Sequence, residues 1–450
     1  MPVHAMNENS RLHQVQAMLE SGALQRSGVL LNALTAAEIA HLLESLPLTE
    51  REILWGLVGD QDGEVLVDLS DEVSADLIKK MDTAELLAAA DGLDLDDLAD
   101  LIQNLPATLT TQLLDSLDSQ RRKRLESVLS YPEDTAGGLM DVDTVTVRPE
   151  VSLDAVLRFL RSLGDRVPEN TDALIVVNRD DQYLGMLPLS RLVSGNPSDI
   201  VAEVMRLDFK PINANLSDND VASRFEYHDL VSAPVVDDDG KLVGRITVDD
   251  VVDVIREEGE HQFMGQAGLS EDEDMFAPVM ISARRRALWL GINLITAFLA
   301  AWVIGNFQGT IEKVVALAVL MPIVAGMGGV AGTQTMTLAI RGIALGQLSS
   351  ANMRWLVIKE FGVGMINSLI WAVIIAVIAG IWFHDINIAW LIGVAMSINL
   401  LSAAVAGAVI PLLLDRFGID PALAGGVFLT TVTDIIGFLA FLGLATHFLL

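Results

Sequence analysis

The chain has 450 residues, with 60 acids against 29 bases, a formal net charge of −31 and no cysteine. The missing cysteines exclude disulfides, zinc–thiolate sites and thiol chemistry, and so acidic a chain lacks the basic surface that nucleic acid needs in a partner. Residues 276–450 carry six acids and eight bases, which leaves 54 acids and 21 bases, a net of −33, in residues 1–275. An acidic soluble half therefore precedes a nearly uncharged apolar half, and the acidity serves either solubility or the attraction of cations.

Residues 1–128 read as an all-α domain. Short apolar-periodic runs such as 36–46 and 74–81 are separated by Pro47, Gly63 and Pro106. Helices this short are expected to stack as a superhelical array. The clearest amphipathic stretch, Leu95 to Leu105, places Asp96 and Asp100 at i, i+4 on one face. Between 60 and 100 there are 14 acids and two lysines, so neighbouring helices repel unless a counter-ion intervenes.

Residues 129–256 contain an internal repeat. The segment Ala173 to Gly185 matches Ser232 to Gly244 at an offset of 59, each a strand, a polar turn and a second strand flanked by amphipathic helices. This β-α-β-β-α pattern resembles a tandem pair of CBS domains, modules that bind adenosyl ligands. In such modules a Gly-x-hydrophobic-Thr-x-x-Asp pattern meets ribose and phosphate. The second copy has it in Gly244-Arg-Ile-Thr-Val-Asp-Asp250, so the resemblance implies ATP or another adenine nucleotide at Thr247 and Asp250. The first copy has Pro188 and Arg191 at the equivalent positions. The alternative is that the segment only pairs domains.

Residues 257–283 are polar and glycine-spaced, a connecting helix and linker. Five apolar spans follow within 284–450, at about 287–305, 312–340, 361–383, 389–414 and 422–448, each of roughly 20 residues or more, enough to cross a bilayer. The N-terminus is polar without a signal-peptide pattern, so the soluble half is expected in the cytosol. That orientation puts Arg284, Arg285, Arg286, Arg341, Arg354, Lys359 and Arg416 inside and only Lys313 outside, with the C-terminus outside.

Two features of the apolar half stand apart. Met321 to Gln334 holds a proline and a run of glycines, and this is expected to break the helix and free backbone carbonyls around Gly326, Gly328 and Gly329 along a cavity. Asp434 is the only Asp, Glu, Lys or Arg in the last thirty residues, with Thr430, Thr431, Thr433 and Gly437 beside it. An ionisable group at bilayer depth marks a functional site. One aspartate per chain holds a cation weakly, whereas a two-fold dimer doubles it to −2, matching one divalent ion. Mg²⁺ keeps several waters and takes only one or two carboxylates. Asn293, Asn367 and Asn399 read as interhelical hydrogen bonds, and Ala403, Ala404, Ala406 and Gly407 as helix packing.

The run Pro322-Ile-Val-Ala-Gly-Met-Gly-Gly-Val-Ala-Gly-Thr-Gln334, with Gly418-Ile-Asp-Pro-Ala422 and Thr433-Asp-Ile-Ile-Gly437, resembles the MgtE-type magnesium transporters across nearly the whole chain. The resemblance implies a multi-domain membrane protein: helical N domain, CBS pair, connecting plug-like helix, and five transmembrane helices in a homodimer in the cytoplasmic (inner) membrane. It implies no enzyme but a passive Mg²⁺ channel with Asp434 as the pore acid, closed when cytosolic Mg²⁺ bridges acids. Those acids fall on Glu64, Asp96 and Asp100 in the N domain, Asp229, Asp250 and Asp253 in the CBS pair, Glu258 in the connector, and Asp420 on the membrane side. Ser217 and Asn219 stand where acids are expected, His261 replaces another, and Val330 takes the place of an asparagine in the glycine motif. Val330 keeps a second divalent cation, Co²⁺ or Mn²⁺, as an alternative. A membrane-anchored CBS sensor that transports nothing is a further one. No P-loop sequence occurs, in keeping with passive transport.

Overall fold

The computed structural model describes Val15, Gly28 and residues 30–450 except 60, 94, 104, 169, 271–272 and 349–351. The side chains of Asp96, Gln103, Ala107 and Asp165 are likewise outside what is described. The chain divides into two compact units, residues 1–258 with 272–277, and residues 259–271 with 278–450.

From Ala36 on, the described residues of the first unit form eight short helices: α1 (Ala36–Glu44), α2 (Leu48–Trp55), α3 (Asp62–Asp68), α4 (Asp71–Ile78), α5 (Thr83–Asp91), α6 (Leu95–Gln103), α7 (Ala107–Ser116) and α8 (Ser119–Val128). Local chemistry sets their ends. Thr35 and Glu38 form a reciprocal capping box on α1, and Asp82 and Glu85 form another on α5. Pro47 and Pro106 are the N-cap residues of α2 and α7, so both prolines open helices as well as ending the preceding ones. Gly63 is no breaker; it lies inside α3, where a Cβ would come within 2.2 Å of the Ala89 carbonyl oxygen. Only glycine lets α3 approach α5 so closely.

Each repeat forms a three-stranded sheet. In the first, β1 (Thr146–Val147) pairs parallel with β2 (Ala173–Val177), which pairs antiparallel with β3 (Tyr183–Pro188); α9 (Leu153–Leu163) connects the parallel pair and α10 (Leu189–Ser194) follows β3. A one-turn helix, α11 (Val201–Val204), leads into the second repeat. There β4 (Ile212–Asn213), α12 (Asp218–His228), β5 (Ser232–Val236) and β6 (Leu242–Thr247) repeat the arrangement, with the hairpin strands offset by the expected 59 residues. The two copies bury their apolar faces differently. The first has a core of its own around Val147, Leu153, Leu174 and Leu187. The second shares one continuous core with the helical domain, joined through Ala136 and Met140.

The last helix of the second repeat, α13 (Val248–Gly265), runs on through the expected start of the connector. No separate connecting helix lies between Gly265 and Val279 among the described residues. The turn ending α13 has Gly268 in the left-handed region, φ 73°, against the Trp289 ring.

Among the described residues, the second unit has five helices long and apolar enough to span a membrane: α14 (Val279–Gly305), α16 (Ala316–Ala344), α17 (Met353–Phe383), α18 (Ile386–Arg416) and α19 (Pro421–Leu449); a short α15 (Gln308–Lys313) precedes α16. Each exceeds its sequence-predicted span except at Gly305 and Phe383, where the ends coincide, and at the start of α16, because polar end residues such as Arg284–Arg286 continue the helical turn. Helix α18 is the centre of the bundle and packs against α16, α17 and α19. Its buried face includes the small residues Ala395, Ala403, Ala404, Gly407 and Ala408, which let neighbouring backbones approach. Leu290, Phe298 and Trp302 on α14 and Ile366 and Leu369 on α17 stay exposed, as a lipid-facing surface requires.

Candidate functional site

The glycine motif is helical, contrary to the expected break. Helix α16 is continuous from Ala316 to Ala344 with Pro322 inside it. The reason is that a hydrocarbon medium makes every unpaired backbone group costly, so a helix that loses one bond at a proline keeps the rest. The glycines serve approach rather than breakage. A Cβ at Gly328 would lie 2.2 Å from the Asn399 amide nitrogen, and one at Gly332 would lie 2.7 Å from the Leu429 side chain. On α18, a Cβ at Gly407 would meet the Gly332 carbonyl at 2.5 Å.

Gly326 and Gly329 are different, with open space where a side chain would be. Together with Pro322, Val330 and Thr333 they lie at helical spacing along one face of α16, and no described residue covers that face. Val330 is 60% exposed on it. The Thr333 hydroxyl donates to the Gly329 carbonyl at 2.9 Å.

Two contacts set the register of α19 against α16. Leu429 fills the notch at Gly332, and Met336 packs on Gly425. Four residues forward on one helix are four back on the other, so the pair is antiparallel, and the same spacing brings Asp434 level with Met327, between Gly326 and Gly328. The broken-motif expectation failed, yet the motif and the acid meet at one depth. Asp434 is half-buried, and no hydrogen bond or ion pair reaches it among the described residues. The threonines beside it satisfy themselves: Thr430, Thr431 and Thr433 donate back along their own helix to the carbonyls of Gly426, Val427 and Thr430 at 2.9, 2.7 and 3.1 Å.

A second membrane-side acid was not singled out by the sequence. Glu360, near the start of α17, is 4% exposed; it accepts from Thr335 of α16 at 3.2 Å and from Lys359 at 2.7 Å. Its adjacent lysine masks it in any count of unpaired charge.

In the first unit, two groups of acids come together. The pKa of Asp68 on α3 is raised from its ordinary value, by partial desolvation first and then by the charges of Asp253 and Glu64. This joins Glu64 of the N domain to Asp253 of the second repeat through an acid the sequence reading missed, although Glu64 and Asp68 stand at i, i+4. Asp218 is raised likewise, by burial and then by Asp134 and Glu258. Ser217 and Asn219 flank it, so the acid expected there is present one position along. Asn219 also reaches Glu258, at 3.4 Å. Asp253 lies 3.7 Å from Arg256.

The other regulatory candidates are more dispersed. Asp100 and Asp229 are exposed, with Asp229 ending α12 in the left-handed conformation at φ 49°. The side chain of Asp96 lies outside the described residues. No group of three or more acids or histidines is placed to hold a metal by itself among the described residues. In the second unit, Asp420 caps α19 by accepting from the backbone N–H of Ala422 and Leu423 at 2.8 and 3.2 Å, and it lies 3.0 Å from His261 Nε2. The residue that replaces an expected acid thus meets its expected counterpart directly.

A clasp that no local pattern announced holds the residues just before α14. Arg51 is 1% exposed and donates to the carbonyls of Leu43 and Leu46 and, through two nitrogens, to Asp274 at 2.7 and 3.0 Å. The Asp274 backbone N–H donates to Glu72 at 2.9 Å. Burial pushes the Asp274 carboxyl up, but the Arg51 and Phe276 hydrogen bonds outweigh it and hold the group below the usual range.

A cavity of about 620 Å³ opens beside the second repeat, lined by Asn170, Thr171, Asp172, Val231, Thr247, Val248, Asp249, Val252 and Asp253. Thr247 is among its lining residues. Asp250 is not; its carboxylate turns to the Thr247 backbone N–H and hydroxyl, each at 3.0 Å, while Asp249 takes the second contact of that hydroxyl.

Comparison with known proteins matches three family models along the chain. The family model described as "Divalent cation transporter" matches residues 321–444, that of the MgtE intracellular N domain matches 34–134, and CBS domains match 136–195 and 201–257. The magnesium transporter MgtE of Thermus thermophilus is 31% identical over 439 residues, covering 96% of this chain and 97% of that one. The Bacillus subtilis MgtE is 27% identical and covers 99% of each chain. Among solved structures, the cytosolic domain of the Mg²⁺ channel MgtE in complex with ATP is 32% identical, with a TM-score of 0.50, and covers 54% of this chain and 99% of that one. On a relative this similar along nearly its entire length, the chain belongs to the MgtE family of divalent-cation transporters.

Proposed function

We propose that this protein carries Mg²⁺ across the cytoplasmic membrane into the cytosol, as a homodimer, down its electrochemical gradient. The observation that carries the reading is the unpartnered carboxylate of Asp434, level with the open glycine face of α16. Two such acids about a two-fold axis supply −2 for one hydrated divalent ion, and the Gly326–Gly329 face leaves space for its waters. The membrane potential drives entry: 100 mV is worth about 2.3 kcal/mol per charge, and about twice that for Mg²⁺. The N-terminal unit lies in the cytosol and the C-terminus outside, on the balance of seven cations to one. Val330, exposed on the open face, favours comparing Co²⁺ and Mn²⁺ as the second reading.

Cytosolic Mg²⁺ closes the path by bridging acids that otherwise repel. Asp68 and Asp218 are raised by burial first and then by that repulsion, from Asp253 and Glu64 and from Asp134 and Glu258, the acids that a bridging ion would draw together. Asp96, Asp100, Asp229, Asp250 and Asp420 belong to the same regulatory set. Moving a gate from 1:99 to 99:1 takes about 5.5 kcal/mol of differential binding, which a few ions share between them. The cavity at Thr247 takes an adenine nucleotide, as the ATP complex of the related cytosolic domain suggests; its acids Asp172, Asp249 and Asp253 favour the metal-complexed form.

Uptake into liposomes holding an inside-negative potential tests the reading. Mg²⁺ entry without ATP, faster than entry of Mn²⁺, Co²⁺ or Ca²⁺, is expected. No uptake above protein-free liposomes would leave the sensor reading in its place.

A further inference from the structure

We infer that Asn399 is the positioning residue for Asp434, an inference that rests on Asp434 being the acid of the ion path. Asn399 lies on α18 and is fully buried, at 0% exposure. Its amide nitrogen donates to the Val324 carbonyl of α16 at 2.7 Å. The same amide occupies two facing notches. A Cβ at Gly328 would stand 2.2 Å from its nitrogen and 3.0 Å from its oxygen; a Cβ at Gly437 of α19 would stand 2.8 and 3.3 Å from the same atoms. One side chain of the central helix therefore keys the two helices that carry the glycine motif and the acid.

The register agrees independently of these contacts. Continuing the pairing that sets Gly332 against Leu429 brings Gly437 level with Val324, the residue whose carbonyl Asn399 holds. Gly437 lies one helical turn from Asp434. Fixing it against Val324 and Gly328 fixes the height and rotation of the carboxylate along α16.

The amide is not there for stability alone. Its oxygen is buried with no hydrogen-bond partner. A leucine, of nearly the same shape, would fill both notches without stranding an acceptor in an apolar interior. What asparagine adds is the bond to Val324, which ties α18 to the motif at one depth. Gly328 and Gly437 are then glycines because they receive this side chain.

The test uses the full-length protein in liposomes, reading Mg²⁺ uptake and the preference for Mg²⁺ over Co²⁺. Asn399→Leu is expected to assemble like the wild type, with uptake reduced on the order of tenfold or more and the preference shifted, since small misplacements of a reacting group carry large penalties. Unchanged uptake and preference in assembled Asn399→Leu would overturn the inference. Should that variant fail to assemble, Gly437→Ala combined with Asn399→Ala decides, because the new methyl takes the vacated space. Assembly without recovery of uptake supports positioning; full recovery of uptake and preference shows that the amide only fills space and overturns it. Asp434→Asn runs alongside. Persistent uptake there removes the underlying reading, whereas loss of uptake there with normal transport in both Asn399 variants removes this inference alone.

Discussion

Replacing Arg51 with methionine is expected to release the segment that precedes the first membrane helix. The guanidinium makes four hydrogen bonds, two to helix-end carbonyls and two to Asp274, with the pair 1% and 5% exposed. Removing one member of so buried a pair strands the other charge and costs about 3–5 kcal/mol. The control is Arg122, which pairs with Asp115 and Glu126 at a site 41% exposed, where removal costs about 0.2–1 kcal/mol. The gap of a few kcal/mol corresponds to roughly a hundredfold or more in the local opening equilibrium. Limited proteolysis of the full-length protein reads it, since cleavage tracks the open population when opening is fast relative to cutting. Arg51→Met should speed cleavage at 273–278 by that factor. Arg51→Met with Asp274→Met should restore much of the protection, because a packed apolar pair tolerates burial. Equal cleavage in Arg51→Met and Arg122→Met would refute the reasoning.

Three further outcomes follow from the same geometry. His261→Glu turns the His261–Asp420 contact into an acid pair, so the Mg²⁺ concentration that protects α13 from proteolysis should become a steeper determinant of closure; an unchanged Mg²⁺ dependence would contradict this. The raised carboxyls of Asp68 and Asp218 favour the protonated form in the folded protein. Their stabilising effect is present below the unfolded carboxylate pKa and lost as pH rises through the elevated folded values, so in chelator the N-terminal unit should tighten on mild acidification, with Asp68→Asn abolishing part of the response. The depressed Asp274 works oppositely: its clasp is intact above the ordinary carboxylate pKa and fails only when pH falls through its lower folded value. Cleavage at 273–278 should therefore stay slow at pH 5, and rapid cleavage there would contradict the assignment.

Much of the architecture was legible because it rests on short-range patterns. The 59-residue offset of the repeats, the five apolar runs and the amphipathic spacing of the Leu95–Gln103 helix each leave a mark in the chain. Asp434 stood out because an apolar helix offers nothing to compensate it. What stayed hidden depends on pairings distant in sequence. Arg51 and Asp274 are 223 residues apart, and nothing local distinguishes Arg51 from a surface arginine. Asp68 and Asp218 were passed over because an acid among many acids carries no signal until its neighbours are in place. The glycine motif was misread for a physical reason: glycine marks both a broken helix and a close approach, and only Asn399 and Leu429, on other helices, show which.

The central claim is that Asp434 lies on the divalent path, and Mg²⁺ uptake by wild-type and Asp434→Asn protein in matched liposomes tests it most directly. The account predicts that the variant folds and assembles as the wild type does but admits no Mg²⁺ above protein-free liposomes. Equal uptake by the two proteins would contradict it.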